Sequence, residues 1–385
     1  MTSDLPVKGF IDALDLFQAY RVDEVHGGQV ITARLRDDVD PESERVRRLL
    51  HDWPGPHDLR SGPQGWHVIL YRPTRPPRER WWLHALLLAL TLASTIVAGS
   101  LLSGRHPLGF VELPLVGGWW LPVPAIVYPD ALLAGLPFGL VLIVILALHE
   151  SGHYVTARYH EISVTPPFFI PFPPYVSIIG TLGAFIRLRS PVTDRDALLD
   201  VGAAGPLMSF IASLPALWWG FVHSRIAAGP PGPPAHYVVR FMSEEIWIGG
   251  SLAFSALGRW TTGFTGGGTV LLLHPVAFAG WIGLFVTALN LLPISQLDGG
   301  HILYGLLGDR QRPLAWLFFG ALIPLGYYWA GWWVWGALIF IVGRGRLHHP
   351  PVFNARRGVT RGRVVVGLAA FAIFVLCFVP VPFRL

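Results

Sequence analysis

The chain has few charged residues and almost no cysteine. Only 14% of its 385 residues are Asp, Glu, Lys or Arg, whereas soluble domains usually carry about 25%. The single cysteine, Cys377, excludes an intrachain disulfide framework and a cysteine-based zinc site. The first ten residues, MTSDLPVKGF, lack the basic and apolar regions of a signal peptide. We therefore expect the first long apolar segment to direct membrane insertion.

The chain also lacks a basic stripe with interleaved aromatic residues that stands apart from an apolar segment. Its net charge is +5, but the arginines flank apolar runs, as in RPTRPPRERWW (72–82) and RGRLHHPPVFNARRGVTRGR (344–363). This placement is typical of short cytoplasmic loops in membrane proteins. It argues against nucleic acid as a partner and makes the lipid bilayer the expected surroundings.

Hydrophobic residues make up 52% of the chain and form long runs. Crossing a bilayer takes about 20 consecutive apolar residues. We predict a polytopic α-helical membrane protein with seven passes, or six if one run crosses differently. The predicted spans are 81–102, 131–159, 195–222, 273–293, 313–343 (a tight pair broken near Pro324 and Gly326) and 364–380.

Residues 1–72 are predicted to form a small cytosolic α+β domain, joined by a Pro/Arg linker (73–80) to a transmembrane domain over 81–385. VDEVHGGQVITARL (22–35) predicts two strands and GWHVILYRP (65–73) a third. DPESERVRRLLHDW (40–53) predicts a helix that Asp40 or Ser43 could cap.

The arginine positions also predict the orientation. If the N-terminal domain is cytoplasmic, the basic loops at 187–195, 310–312 and 344–363 fall on the same side. The connections 103–130 and 223–272 then lie outside. We expect an integral protein of the cell inner or plasma membrane.

One cytoplasmic connection, TPPFFIPFPPYVSIIGTLGAFIRLRS (165–190), is too apolar for an ordinary loop. Its proline density excludes a continuous helix, and IIGTLGAFIRL (178–188) predicts a strand or hairpin. Irregular backbone at membrane depth is tolerated only against protein or a water-filled cavity. We expect a membrane-associated β-hairpin or loop that packs over a polar site inside the bundle.

The second span, LVLIVILALHESGHYV (140–155), contains three ionisable residues. His149 and His153 are four apart, which places both imidazoles on one helix face and suits two ligands of one metal. Glu150 is rotated by about 100° from His149, so it can reach a water at the metal without being a ligand. Such groups inside spans are usually functional; the alternative is a helix end that faces water.

A catalytic zinc needs a third protein ligand. The candidates are Asp298, His301, His160, Glu161 and Asp200. Asp298 is favoured because two glycines follow it in ALNLLPISQLDGGHILYGL (288–306), where they let the chain fold sharply and bring the carboxylate inward. The alternative is a helix cap. In the third span, Gly202 to Gly205 are expected to serve helix packing, the Gly205-Pro206 pair to break the helix, and Asp200 to pair with a neighbour or face the cytosol.

Three motifs in this order resemble the site-2 protease family of intramembrane zinc metalloproteases: HESGH (149–153), GAAGPLMSF (202–210) and NLLPISQLDGGH (290–301). The stretch 166–191 is similar to prokaryotic members akin to the plant chloroplast yellow-green proteases. The resemblance covers about residues 130–308, the expected protease core. It implies that His149, His153 and Asp298 ligate one zinc ion per chain, that Glu150 is the catalytic base, and that Asn290 assists.

The resemblance implies regulated intramembrane proteolysis of a single-span or anchored membrane protein, with an upstream protease as a possible partner. Asn290 could hydrogen-bond the oxyanion or orient a ligand; an interhelical hydrogen bond is the other interpretation. No PDZ module is recognisable. Two rival functions remain, a metal or ion carrier and a catalytically idle scaffold, although no internal repeat supports the first and the presence of Glu150 with all three ligands argues against the second.

Overall fold

The fold is a bundle of apolar helices with a β-hairpin packed against its first long helix and a β-sheet beyond two of its later helices. The structure is a computed structural model, and it describes residues 10, 13–25, 28–53, 55–62, 65–73, 78–114, 120–192, 194–229, 236–242, 244–349, 352 and 358–384. The helices are α1 (Glu44–Asp52), α2 (Trp81–Leu102), α3 (Pro129–Tyr159), α4 (Arg195–Val222), α5 (Leu252–Thr262), α6 (Pro275–Asn290), α7 (Asp298–Leu307), α8 (Gln311–Tyr328), α9 (Gly331–Val342) and α10 (Arg361–Cys377). The strands are β1 (Phe17–Val25), β2 (Gly28–Leu35), β3 (His57–Gly62), β4 (Gly65–Pro73), β5 (Leu108–Pro114), β6 (Trp120–Val127), β7 (Phe168–Pro171), β8 (Thr181–Phe185), β9 (Arg225–Ala228), β10 (His236–Phe241), β11 (Glu244–Ile248), β12 (Thr269–Leu272) and β13 (Phe383–Arg384).

The N-terminal region forms an antiparallel sheet in the order β1-β2-β4-β3. Helix α1 closes a small core against it, in which Val46 and Leu49 meet Ile31 and Val68. The helix and the three expected strands are present, and β3 is a fourth that was not expected. Ser43 stands at the N-cap of α1, but its side chain makes no capping hydrogen bond. The proposed domain boundary at residue 72 stays a prediction.

Three helices within the described residues, α2, α3 and α4, are long and apolar enough to cross a membrane. The helices α6 and α9 are apolar but shorter, with 16 and 12 residues. The protein is therefore an integral membrane protein with several candidate spans, and the expected number of six or seven passes is a finer statement that we take up as a proposal.

Of two expected helix breaks, one lies elsewhere than predicted and the other is absent. The run 313–343 does form two helices, but they separate at Trp329 and Ala330, and Pro324 lies inside α8. The Gly205-Pro206 pair does not interrupt the third span, because α4 is continuous and contains both Pro206 and Pro215. Proline therefore marks neither break in this bundle.

The segments expected to be external loops contain strands. Within 103–130, β5 pairs with β6, and within 223–272 the strands β9 to β12 join the C-terminal β13 in a sheet of the order β13-β11-β10-β12-β9, next to α5 in the chain. In this sheet β10 and β12 are parallel, and the C-terminal β13 pairs with β11. The sheet lies where α4 ends and α6 begins, and we call this end of the bundle the sheet end.

The apolar connection 165–190 forms the hairpin β7–β8, in the register Phe168 to Phe185. It lies against α2, where Ser94 Oγ donates to the Gly180 carbonyl at 2.6 Å and His84 Nδ1 donates to the Pro167 carbonyl at 3.0 Å. Gly180 has a φ of 76°, and a Cβ there would lie 2.8 Å from the Ser94 carbonyl carbon. The hairpin is thus held against the bundle, and we call the end at which α3 ends and α4 begins the hairpin end.

Helix α4 is central, since it packs against α3, α6 and α7. The Asp194 side chain caps its first turn by accepting from the Ala197 amide at 2.8 Å. Arg195 then donates to the carbonyls of Gly305 and Leu306 at 2.8 and 2.7 Å, which joins the start of α4 to the end of α7. These contacts align the helices that carry the polar residues of the site.

Candidate metal centre

The two histidines of HESGH lie on one face of α3 inside the bundle. His149 and His153 are 4% and 7% exposed, and their Nε2 atoms are 3.0 Å apart. The i, i+4 spacing on a helix produces this proximity. The structure therefore places both imidazoles in the bundle interior, in contrast to the alternative of a helix end that faces water.

Asp298 reaches the same point from α7. Its Oδ2 lies 3.5 Å from His149 Nε2 and 3.3 Å from His153 Nε2. The two glycines that follow are required by close packing, since a Cβ at Gly299 would overlap the Leu291 carbonyl and one at Gly300 would overlap the Ser295 carbonyl. Asp298 is the first residue of α7, and no side chain caps that helix. The helix-cap interpretation of Asp298 is wrong.

The three side chains fit a zinc ion. Tetrahedral ligands at the usual zinc distances of about 2.0–2.1 Å are separated from one another by about 3.3 Å. The donor atoms here are 3.0, 3.3 and 3.5 Å apart. Two imidazole nitrogens and a carboxylate oxygen also form a donor set that zinc accepts in catalytic sites. Among the residues that the structure describes, this is the single cluster of three such groups.

A directed hydrogen-bond chain sets the tautomer of His149. His149 Nδ1 donates to Ser209 Oγ at 3.1 Å, Ser209 donates to Thr287 Oγ1 at 2.7 Å, and Thr287 donates to the Gly283 carbonyl at 2.7 Å. Thr287 donates to that carbonyl, and the Ser209 hydroxyl has two acceptors, Thr287 Oγ1 and the Pro206 carbonyl at 3.2 Å, so Ser209 Oγ is left to accept from His149 Nδ1. The Nε2 lone pair of His149 is thereby directed at the metal position.

His153 is oriented by the backbone instead. Its Nδ1 donates to the Val201 carbonyl of α4 at 2.7 Å, which also leaves its Nε2 lone pair for a metal. Helix α4 comes this close because Gly205 faces the imidazole, and a Cβ at that position would overlap the ring. A Cβ at Gly202 would lie 2.8 Å from the Cβ of His301. These small residues serve helix packing, as expected, and Gly205 in addition makes room for a metal ligand.

Glu150 faces a different side of α3 from the two histidines, toward the hairpin. It is 5% exposed, and the backbone of Ile186, the residue after β8, lies close to its carboxylate. Its Oε2 has no hydrogen-bond partner within the described part of the chain. A buried carboxylate oxygen with no partner is costly, which indicates that this oxygen is meant for a water or a substrate.

Asn290 ends α6 next to the same centre. Its side-chain amide nitrogen lies 3.2 Å from His149 Nε2. This contact brings α6 against α3 and places the amide beside the metal position, and because the Nε2 lone pair is directed at the metal, the amide is left to donate to another acceptor there. Its catalytic role stays a prediction.

The other candidate ligands lie elsewhere. His160 Nε2 contacts Asp200 Oδ2 at 2.8 Å, and Arg363 donates to the same carboxylate at 2.7 Å. Asp200 therefore pairs with neighbours, which was one of the two alternatives expected for it. Glu161 is exposed at the end of α3. His301 packs edge-on against the ring of His349, with the ring centres 4.8 Å apart. None of these residues belongs to the three-residue cluster.

Sequence reasoning missed Ser209 and Thr287. Both are buried hydroxyls inside apolar helices, with 2% and 0% exposure. Hydroxyls in helices commonly bond their own backbone, so their presence alone is a weak signal. Ser209 does lie within GAAGPLMSF, one of the motifs that carried the resemblance, and that position was the one available hint.

Known proteins share this arrangement of motifs. Residues 137–323 match the model of peptidase family M50. This part of the chain belongs to peptidase family M50. The resemblance to the site-2 protease family, which rested on three motifs, is confirmed. The M50 segment contains both histidines, the glutamate and Asp298, together with Ser209, Thr287 and Asn290.

The M50 relatives include chloroplast proteins. The chain is 31% identical over 258 residues to the probable zinc metalloprotease EGY2, chloroplastic, of Arabidopsis thaliana, which covers 65% of this chain and 42% of that protein. It is 32% identical over 176 residues to the probable zinc metalloprotease EGY1, chloroplastic, of Oryza sativa subsp. japonica, which covers 46% of this chain and 28% of that protein. The chain thus spans less than half the length of these curated relatives. No solved structure matches it.

Proposed function

We propose that this M50 protein is a zinc-dependent endopeptidase that hydrolyses a peptide bond within or near a transmembrane segment of another protein. The observation that carries the proposal is the cluster of His149, His153 and Asp298 beside the buried, partly unbonded carboxylate of Glu150. Relatives named as probable zinc metalloproteases support the same reaction class.

The residues of this chain have separate tasks in the proposed reaction. Zinc, when held by His149, His153 and Asp298, supplies a Lewis acid that polarises the scissile carbonyl and eases deprotonation of water. Glu150 takes the proton of the attacking water and returns it to the leaving nitrogen. The Asn290 amide, 3.2 Å from His149 Nε2, donates a hydrogen bond to the oxygen that gains charge.

The substrate we propose is a single-span or anchored membrane protein whose helix unwinds locally. One edge of the β7–β8 sheet is covered, because β7 packs on α2. Strand β8 pairs with β7 alone among the described strands, and its Leu182 and Phe185 side chains are 64% and 46% exposed. An extended peptide could add to this edge. Ile186, at the end of the same strand, contacts Glu150, so an added strand would run toward the site. An upstream protease that prepares the substrate is part of the proposal.

The connections of the bundle fit seven passes through the inner or plasma membrane of a cell. In this arrangement the hairpin end and the N-terminal domain lie on the cytoplasmic side. Helices α2, α3 and α4 cross alone. Helix α6 continues through the loop before Asp298 into α7 as one descending pass. Helix α9 has 12 residues, spans about 18 Å and is the sixth pass in this arrangement. The arginines at 187–195, 310–312 and 344–363 then share the cytoplasmic side.

Glu150→Gln tests the reaction. A protease should keep its zinc, because the two histidines and Asp298 are intact, and lose cleavage by about 10²–10⁴-fold. The measurements are zinc content of the purified protein and quantitative proteomics of membranes that contain the native or the variant protein. Single-span fragments should disappear, and their uncut precursors should accumulate, with the variant.

Glu161→Gln is the matched control, since Glu161 is an exposed glutamate at the end of the same helix. Its zinc content and fragments should equal those of the native protein. A carrier would continue to transport metal after Glu150→Gln, and an idle scaffold would show no fragment in either state. An unchanged fragment pattern with Glu150→Gln would sink the proposal.

Cross-linking tests the strand edge. A photoactivatable residue placed at Leu182 in the Glu150→Gln protein should capture the precursors that accumulate, through their transmembrane segments. The same residue at Val176, exposed in the turn between β7 and β8, should not. Equal capture at both positions, or none at Leu182, would refute strand addition and leave the zinc chemistry in place.

A further inference from the structure

A cavity of about 540 Å³ lies at the sheet end of the bundle. Strands β10 and β11, helix α5 and the C-terminal segment after α10 enclose it. Its polar lining includes His236, Ser255, Arg259, Thr265 and Arg384, and the apolar remainder includes Ile248 and Val379. A volume of this size is typical of small-molecule sites.

The walls of the cavity are fixed by buried indoles. Trp281 Nε1 donates to the Gly249 carbonyl at 2.7 Å, and Trp332 Nε1 donates to the Pro380 carbonyl at 2.7 Å. Each indole is 1% exposed. The Gly249 amide donates to the Pro382 carbonyl at 2.9 Å, which closes the two walls on each other. The cavity is therefore formed before any ligand arrives.

The cavity is positively charged. Arg259 and Arg384 line it, and no lining residue in the described part of the chain is an aspartate or glutamate. Within those residues neither arginine forms an ion pair with a carboxylate. Arg240, on the same sheet, does pair with Glu245 at 3.2 Å. Two arginines without a carboxylate on rigid walls are suited to an anion with several oxygen acceptors.

The position of the cavity relative to the expected membrane surface indicates a lipid as its ligand. A second cavity, lined by Tyr327, Tyr328 and Trp329, shares Arg384 with the first. The two tyrosines are 79% and 74% exposed, and Trp260, beside Arg259, is 77% exposed. Exposed tyrosine and tryptophan at the end of a transmembrane bundle mark the level of the lipid headgroups. The arginines therefore lie at the height of phosphates in that leaflet.

We propose that this cavity binds the phosphate of an anionic phospholipid in the leaflet at the sheet end. Arg259 and Arg384 hold the phosphate oxygens, and the acyl chains follow the apolar surface past the exposed aromatic residues. The site is separate from the metal centre, and the inference holds whether or not the proposed proteolysis does.

Native mass spectrometry of the detergent-solubilised full chain tests the site. The probes are phosphatidylglycerol, phosphatidylcholine and inorganic phosphate, added separately at increasing concentration. The native protein should bind one phosphatidylglycerol at least about tenfold more tightly than phosphatidylcholine, because both headgroups offer phosphate oxygens but the choline cation cancels the net charge that the two arginines attract. Arg259→Gln with Arg384→Gln should remove that preference.

Arg240→Gln is the matched control, because it removes one cation from the same sheet outside the cavity. It should leave lipid binding unchanged. Zinc content, measured in parallel, shows that each variant is folded. Equal binding of phosphatidylglycerol by the native and double-variant proteins would overturn the proposal. Inorganic phosphate that binds as tightly as the lipid would overturn its lipid part and identify a free-anion site.

Discussion

Ser209→Ala should weaken zinc binding although Ser209 is not a ligand. The hydroxyl is the acceptor for His149 Nδ1 and the donor to Thr287, so its removal leaves the imidazole free to change tautomer or rotate. Loss of such a partner typically lowers metal affinity by about 10–100-fold, which corresponds to about 1.4–2.8 kcal/mol. Competition titration with a chromophoric zinc chelator measures this difference directly.

Ser213→Ala is the control one turn further along α4. Ser213 is also fully buried, and its hydroxyl donates to the Ser209 carbonyl without touching the site. We expect an affinity for zinc equal to that of the native protein. Thr287→Val should reproduce part of the Ser209→Ala effect, and the double variant should lose less than the sum, because both act through one chain. Equal losses in Ser209→Ala and Ser213→Ala, or strict additivity with Thr287→Val, would refute the reasoning.

Three further outcomes follow from the packing. Gly205→Ala should reduce the zinc content to well below one ion per chain, because the new methyl occupies the space of the His153 ring. Elemental analysis measures the zinc content. Gly320→Ala is the control and should retain zinc, because a Cβ at that position meets nothing within 4 Å. Ser295→Val should lower the free energy of unfolding by about 1–3 kcal/mol, because a β-branched residue is strained at φ 54°. Ser295→Gly should lower it by less, and equal unfolding midpoints for the two variants would contradict this. Asp200→Asn should lower the unfolding midpoint by weakening the contacts to His160 and Arg363, with zinc content unchanged; loss of zinc would show that this pair supports the metal centre.

The chemistry of the site was predictable because it depends on local spacing. The HESGH motif lies on a predicted span, and the i, i+4 rule places its two imidazoles together without any knowledge of the tertiary fold. Asp298 needed a second argument, from the two glycines that follow it. The structure shows why they are required: at Gly299 and Gly300 the backbone packs so closely on Leu291 and Ser295 that no side chain fits.

The sheet was missed for the opposite reason. Its strands are two to six residues long, too short for a clear alternation of polar and apolar residues. Its order depends on distant pairs, such as His236 with Val270 and Trp247 with Arg384. No local pattern contains such pairs. Pro206 misled in a similar way, because a local rule predicted a break, whereas α4 is one continuous helix packed between its neighbours.

The residues that hold the hairpin and the residues that bind the metal lie in separate stretches of sequence. Every proposed metal ligand lies in the M50 segment 137–323, whereas His84 and Ser94, which hold the hairpin in place, lie before it. Substitutions on the inner face of α2 can therefore tilt or shift the strand edge while the zinc donors stay where they are. Selectivity for peptides and hydrolytic chemistry can then change independently, and exchange of α2 between relatives is a route to new substrates with the same metal centre.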